Sequence, residues 1–127
     1  METKESKLEI WWDEEGGIIK ERLIGDLTID DAKESEKKVI KLSASLRKKG
    51  IKAVNLLVDV TKAGTPSTKA RDFFSQSLKK SSVDKIAVFG GGIIQKTVAN
   101  FIFNYSGMKN ARYFDNREEA LSWLKRK

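Results

Sequence analysis

The chain has 127 residues, a formal net charge of +7, 34% charged and 39% hydrophobic residues, enough for one domain with a core of its own. It contains no cysteine and no histidine. That excludes disulfides and thiolate metal sites and removes the usual general base, zinc ligand and pH switch, so neither a metal nor another cofactor is expected.

The first seven residues are polar and are expected to be flexible, with one domain over 8–127. In LEIWW (8–12), Leu8, Ile10 and Trp12 alternate with Glu9 and Trp11, the period of a half-buried strand. Gly16-Gly17 then permits a hairpin turn into IIKERLIG (18–25). Thr28 with Asp31 has the spacing of a capping box and opens a helix that carries Ile29, Ala32, Val39, Ile40, Ser43 and Leu46 inward and stops at Gly50. KAVNLLVDV (52–60) is nearly all apolar, as a strand buried on both faces is. The next helix is expected to take Thr65 as N-cap and Pro66 as first residue, with Ala70, Phe73, Phe74 and Leu78 as its apolar stripe. DKIAVFGG (84–91) reads as a second buried strand. GIIQKTVANFIFNYSG (92–107) is a helix with a broad apolar face: Ile93, Ile94, Val98, Ala99, Phe101, Ile102 and Tyr105. ARYF (111–114) is a short strand, and Asp115 or Asn116 caps a last helix with Ala120, Leu121 and Leu124 inward. The expected fold is α/β, in the order β-β-α-β-α-β-α-β-α. It has a mixed, mostly parallel five-stranded sheet packed with four helices.

The lysines are interspersed with acids, and the basic clusters at 47–49 and 125–127 fall at expected helix ends, where cations complement the dipole. Without a concentrated basic face no nucleic-acid partner is expected. No apolar run reaches membrane-spanning length and the N-terminus has no apolar leader, so a cytoplasmic protein without a transmembrane segment is expected.

Three stretches carry a family resemblance: GDLTIDDAKES (25–35), DKIAVFGG (84–91) and ARYFDNREEALSWLKRK (111–127). In order and spacing the chain resembles the STAS domain. Within it, the chain is similar to the sporulation stage II AA-like, or anti-sigma-factor antagonist-like, branch, often grouped with the lipid-binding CRAL-TRIO architecture. The resemblance implies a single-domain STAS-like fold and a regulatory module that is not an enzyme. It also implies a protein partner such as an anti-sigma-type kinase. In that family a phosphorylated Ser or Thr follows the central strand. The corresponding positions here are Thr65, Ser67 and Thr68, although the family's Asp-Ser pair and following Gly-Leu are missing. A capped helix start, with Thr65 as N-cap and Ser67 and Thr68 in an exposed first turn, explains these hydroxyls without a function and is the preferred reading.

The expected partner-binding face comprises Asp59, Thr61, Lys62 and Gly64 after one strand and Gly91 and Gly92 after the next, where open α/β sheets place their ligands. A receiver-type aspartate is excluded at Asp59, because the first strand leads into a hairpin rather than an acidic pair. Gly90-Gly91-Gly92 lacks the spacing of a phosphate-binding loop. The alternative function is a carrier or sensor of a lipid or small apolar molecule held against helix 92–106, with Phe101, Ile102 and Tyr105 as candidate contacts. The same helix face and the exposed side of Trp11 are also candidate homodimer surfaces.

Overall fold

The computed structural model describes residues 7–126. The five strands are β1 (Leu8–Asp13), β2 (Ile18–Gly25), β3 (Asn55–Ala63), β4 (Lys85–Phe89) and β5 (Ala111–Phe114). The four α-helices are α1 (Ile29–Lys48), α2 (Thr68–Ser77), α3 (Ile93–Ser106) and α4 (Arg117–Lys125), and a short 3-10 turn, Leu78–Lys80, follows α2. The sheet order is β1-β2-β3-β4-β5, antiparallel only between β1 and β2. The expected order of elements and the mixed sheet are therefore the ones observed.

Each βαβ step moves one strand in the same direction, so crossovers of one hand must lay α1, α2 and α3 on one face. The core divides accordingly. Ile19, Leu23, Leu56, Val58, Val60, Ile86 and Val88 pack with Val39, Ala99, Ile102 and Phe103 beneath those helices. Ile18, Leu57, Ala87, Phe89 and Phe114 point the other way and meet Ala120 and Leu124 of α4. Ala87 and Ala120 are fully buried, and these small side chains let α4 approach the sheet closely. The approaches of α2 are instead chiefly to α1 and α3.

The capping box of α1 forms as expected. The Thr28 hydroxyl accepts from the Asp31 N–H at 3.3 Å, and Asp31 Oδ2 accepts from the Thr28 N–H at 2.8 Å. Burial raises the Asp31 carboxyl, but the two Thr28 donors and Lys7 outweigh it and leave it below its ordinary value. Lys7, at the edge of the stretch expected to be flexible, donates to the Asp26 carbonyl at 2.9 Å and to Asp31 at 3.3 Å. The remainder of that stretch, 1–6, and Lys127 lie outside the described residues.

Two boundaries and one helix face differ from expectation. First, β3 runs from Asn55 to Ala63 because it pairs with β2 beyond a register shift between Arg22 and Ile24. Its pairing with β4 ends at Asp59, which thus lies inside the strand rather than at its end. Second, α2 begins at Thr68 with Ser67 as N-cap, not at Pro66 with Thr65. Thr65 N–H donates to Asp26 Oδ1 at 2.9 Å and Ser67 N–H donates to the Leu27 carbonyl at 2.9 Å, which holds this segment extended along the β2–α1 loop. The residue before a proline is disfavoured from helix in any case. Third, Ile40 is 46% exposed at the surface of α1, and the inward stripe takes Ser35 in addition.

Candidate functional site

Helices α1, α2 and α3 do not close completely over the sheet. Beneath them lies an apolar cavity of about 480 Å3. Its floor is the inward row of three parallel strands, including Leu23, Leu56, Val58 and Val88. Val39 of α1, Phe73 and Phe74 of α2, and Val98, Ala99 and Ile102 of α3 form the walls and roof. Ile40, Glu36 and Lys80, which are exposed or half-exposed, mark its rim.

One polar side chain interrupts this lining from the sheet. On β2, Ile19, Glu21 and Leu23 share a face by strand alternation. Glu21 lies between Ile10 of β1 and Val58 of β3, and Val58 in turn pairs with Val88. Glu21 is 4% exposed, and its Oε2 accepts from the Ser35 hydroxyl at 2.5 Å. Oε1 accepts no hydrogen bond among the described residues. Burial pushes the carboxyl up to about 7, against the opposing pull of the Ser35 hydroxyl and of the Lys38 charge. Elsewhere on the hairpin the opposite holds: the hydrogen bond from Lys20 keeps Asp13 below its ordinary value, with the ion pair at 2.9 Å.

Of the residues expected to bind a partner, Asp59, Thr61 and Lys62 lie within the C-terminal half of β3, and Gly64, Gly91 and Gly92 lie in the loops that follow β3 and β4. Asp59 Oδ1 accepts from the Thr61 N–H at 2.9 Å, and Oδ2 lies 3.8 Å from Arg22 Nε, so this carboxylate is engaged within the sheet. Thr61 and Lys62 are exposed. Gly64 lines the cavity, and a Cβ there would meet Asp26 Oδ1 at 1.9 Å. The two loops are fastened together by one side chain. Gln95 Oε1 accepts from the Gly92 N–H and Nε2 donates to the Ala63 carbonyl, both at 2.8 Å. Gly90 passes so close to Thr61 that a Cβ would lie 2.3 Å from its hydroxyl, with φ at +97° besides, so only glycine fits.

Of the candidate ligand contacts, Ile102 lines the cavity, whereas Phe101 and Tyr105 are not among its lining residues. They are exposed on the outer face of α3, stacked on each other at 5.8 Å. The Arg71 guanidinium lies over Phe101 at 4.3 Å, and the Lys79 ammonium lies 5.7 Å from the Tyr105 centroid. The broad apolar face of α3 is therefore two faces: Ala99, Ile102, Phe103 and Ser106 inward, and Ile94, Phe101 and Tyr105 outward. Sequence reading did not single out Glu21. The signal was present, because strand alternation in IIKERLIG puts it with Ile19 and Leu23.

Among the candidate phosphorylation positions, the Ser67 hydroxyl accepts from the Ala70 N–H at 3.0 Å as the cap of α2. Thr65 and Thr68 are exposed. Ser67→Ala is expected to destabilise the fold by about 1 kcal/mol, read from urea denaturation. An unchanged midpoint would show that the cap contributes nothing.

Among the described residues no group of three or more metal-ligating side chains comes together, and no helix is long and apolar enough to cross a membrane.

A family model described as SpoIIAA-like matches residues 18–125. Among solved structures, the chain is similar to an uncharacterized protein of the DUF3478 family with a SpoIIAA-like fold from Shewanella loihica PV-4. The two are 20% identical with a TM-score of 0.63, over 98% of each chain. It is also similar to the anti-sigma factor antagonist SpoIIAA in its unphosphorylated form, at 10% identity and a TM-score of 0.57, over 88% of this chain and 91% of that one. At these identities the likeness is one of fold. No curated protein matches the chain.

Proposed function

The chain belongs to the SpoIIAA-like family, and from that premise we propose that it is a non-catalytic regulatory module of STAS type that carries or senses a small apolar ligand. The ligand lies between the sheet and helices α1–α3. The observation that carries this reading is the apolar cavity of about 480 Å3, a volume within the range of about 300–1,000 Å3 common to small-ligand sites. A core whose only task is to be stable fills such space, because each missing contact lowers stability. The absence of His and Cys from the sequence supports the non-catalytic part of the reading. The test is native mass spectrometry of the full chain after incubation with a total lipid extract and desalting. Retained one-to-one adducts are the expected result. A spectrum of bare protein only, under conditions that preserve adducts on a control lipid carrier, would overturn the reading.

A second reading, docking of a protein partner on the loop face, is favoured by Ile93 and Ile94. They are 84% and 58% exposed beside Gly91 and Gly92. An anti-sigma-type kinase or a second copy of the chain would cover these side chains. Sedimentation of the chain alone and with a candidate kinase tests this; no complex with either, at concentrations where known pairs associate, counts against it.

A further inference from the structure

The ligand's head group is the next question, and it rests on the apolar-ligand reading above. We infer that Glu21 is the recognition residue of the cavity and that it selects an amphiphile with an apolar body and a cationic amine head.

The position makes a carboxylate expensive. Ile10 and Val58 flank Glu21 in the sheet, and a leucine or isoleucine there would continue the apolar row without desolvating an acid. Ser35 satisfies Oε2, while Oε1 has no donor among the described residues at the wall of a cavity large enough for a ligand. A buried acid with one vacant oxygen facing an apolar space is matched by a hydrogen-bond donor, best by one that carries positive charge. The charged groups nearby do not supply it. The Lys38 ammonium is exposed and pairs with Glu34 at 3.0 Å. Lys80 of the 3-10 turn lines the rim and is not within ion-pair distance of Glu21 among the described residues, and Glu36 of α1, also at the rim, is an acid that supplies no donor. An alkyl carboxylate would put like charges together at the floor of the cavity. An alcohol would supply the hydrogen bond without the charge. Because burial already holds the Glu21 carboxyl near about 7, little work is needed for an ammonium group to keep it ionised at neutral pH.

The experiment is calorimetric titration of decylamine, decanol and decanoate into the full chain at pH 7.5, with wild type, Glu21→Gln and Glu21→Leu. In wild type decylamine is expected to bind about tenfold or more tighter than decanol, the difference a charge-assisted hydrogen bond makes, with decanoate weakest. Glu21→Gln and Glu21→Leu should each abolish the preference for the amine while still binding decanol. The protein's net charge of +7 biases non-specific association toward decanoate, so a preference for the amine is not a surface effect. Decanoate binding as tightly as decylamine, or an amine preference that survives both substitutions, would overturn the proposal while leaving an apolar site intact. Failure of all three probes to bind wild type would overturn this proposal and the apolar-ligand reading together. Thermal unfolding of each variant confirms that it is folded, and two substitutions of different size keep the test open if one of them is not.

Discussion

Glu21→Gln is expected to stabilise the ligand-free protein at pH 8 by about 1–3 kcal/mol, and to leave it no more stable than wild type near pH 4. Folding raises this carboxyl from the ordinary 4.5 to about 7, with burial as the main cause. Between those values the folded chain holds more proton than the unfolded one, so the Glu21 contribution becomes less favourable as pH rises through the window. Above about 7 the full penalty of a buried charge is present; below about 4.5 both states are protonated and no penalty remains. Glutamine keeps the shape and an oxygen for the Ser35 hydroxyl, while its amide hydrogens find no established acceptor, which reduces the gain. Asp13 and Asp31 act in the opposite sense, since both are held low in the fold, but they are common to both proteins and cancel in the difference. Urea denaturation at the two pH values measures it. The same difference at both would mean that Glu21 is not desolvated as its place in the sheet requires.

The second large effect comes from filling the cavity. Ala99→Leu adds three carbons from α3 at a side chain that is 7% exposed and lines the space. At about 0.8 kcal/mol for each buried methylene, the ligand-free protein should gain up to about 2 kcal/mol. The same substitution should abolish binding of decanol, because ligand and leucine compete for one volume. Stability rising while binding is lost separates a ligand cavity from ordinary core, in which overpacking destabilises by about 1–3 kcal/mol. A destabilised Ala99→Leu that still binds decanol would place the ligand elsewhere.

The fold was legible in the sequence because its signals are periodic and redundant. The runs around Leu56–Val58 and Ile86–Phe89 are buried on both faces, and Thr28, Asn116 and the glycine-terminated helices mark their own ends. The start of α2 was less legible because it is set by contacts distant in sequence. Asp26 and Leu27 hold the backbone of Thr65 and Ser67 out of the helix, and no local propensity encodes that. The division of α3 into two faces depends on where α2 and the turn after it lie, since Arg71 and Lys79 approach the outer aromatics from there. Glu21 was hidden by its neighbours. In Lys20-Glu21-Arg22 it looks like one more surface charge, and only the register with Ile10 and Val58 shows that it faces inward while Arg22 pairs with Glu9 and Asp59 on the other side.

The occupant of the cavity can be located directly by isotope-filtered NOE spectroscopy, with decanol bound to protein labelled at its Ile, Leu and Val methyl groups. Contacts from the decanol chain to Leu56, Val58 and Ile102, and none to Ile93 or Ile94, are the predicted result. Contacts confined to Ile93 and Ile94 on the outer surface, with the interior methyl groups silent, would contradict it.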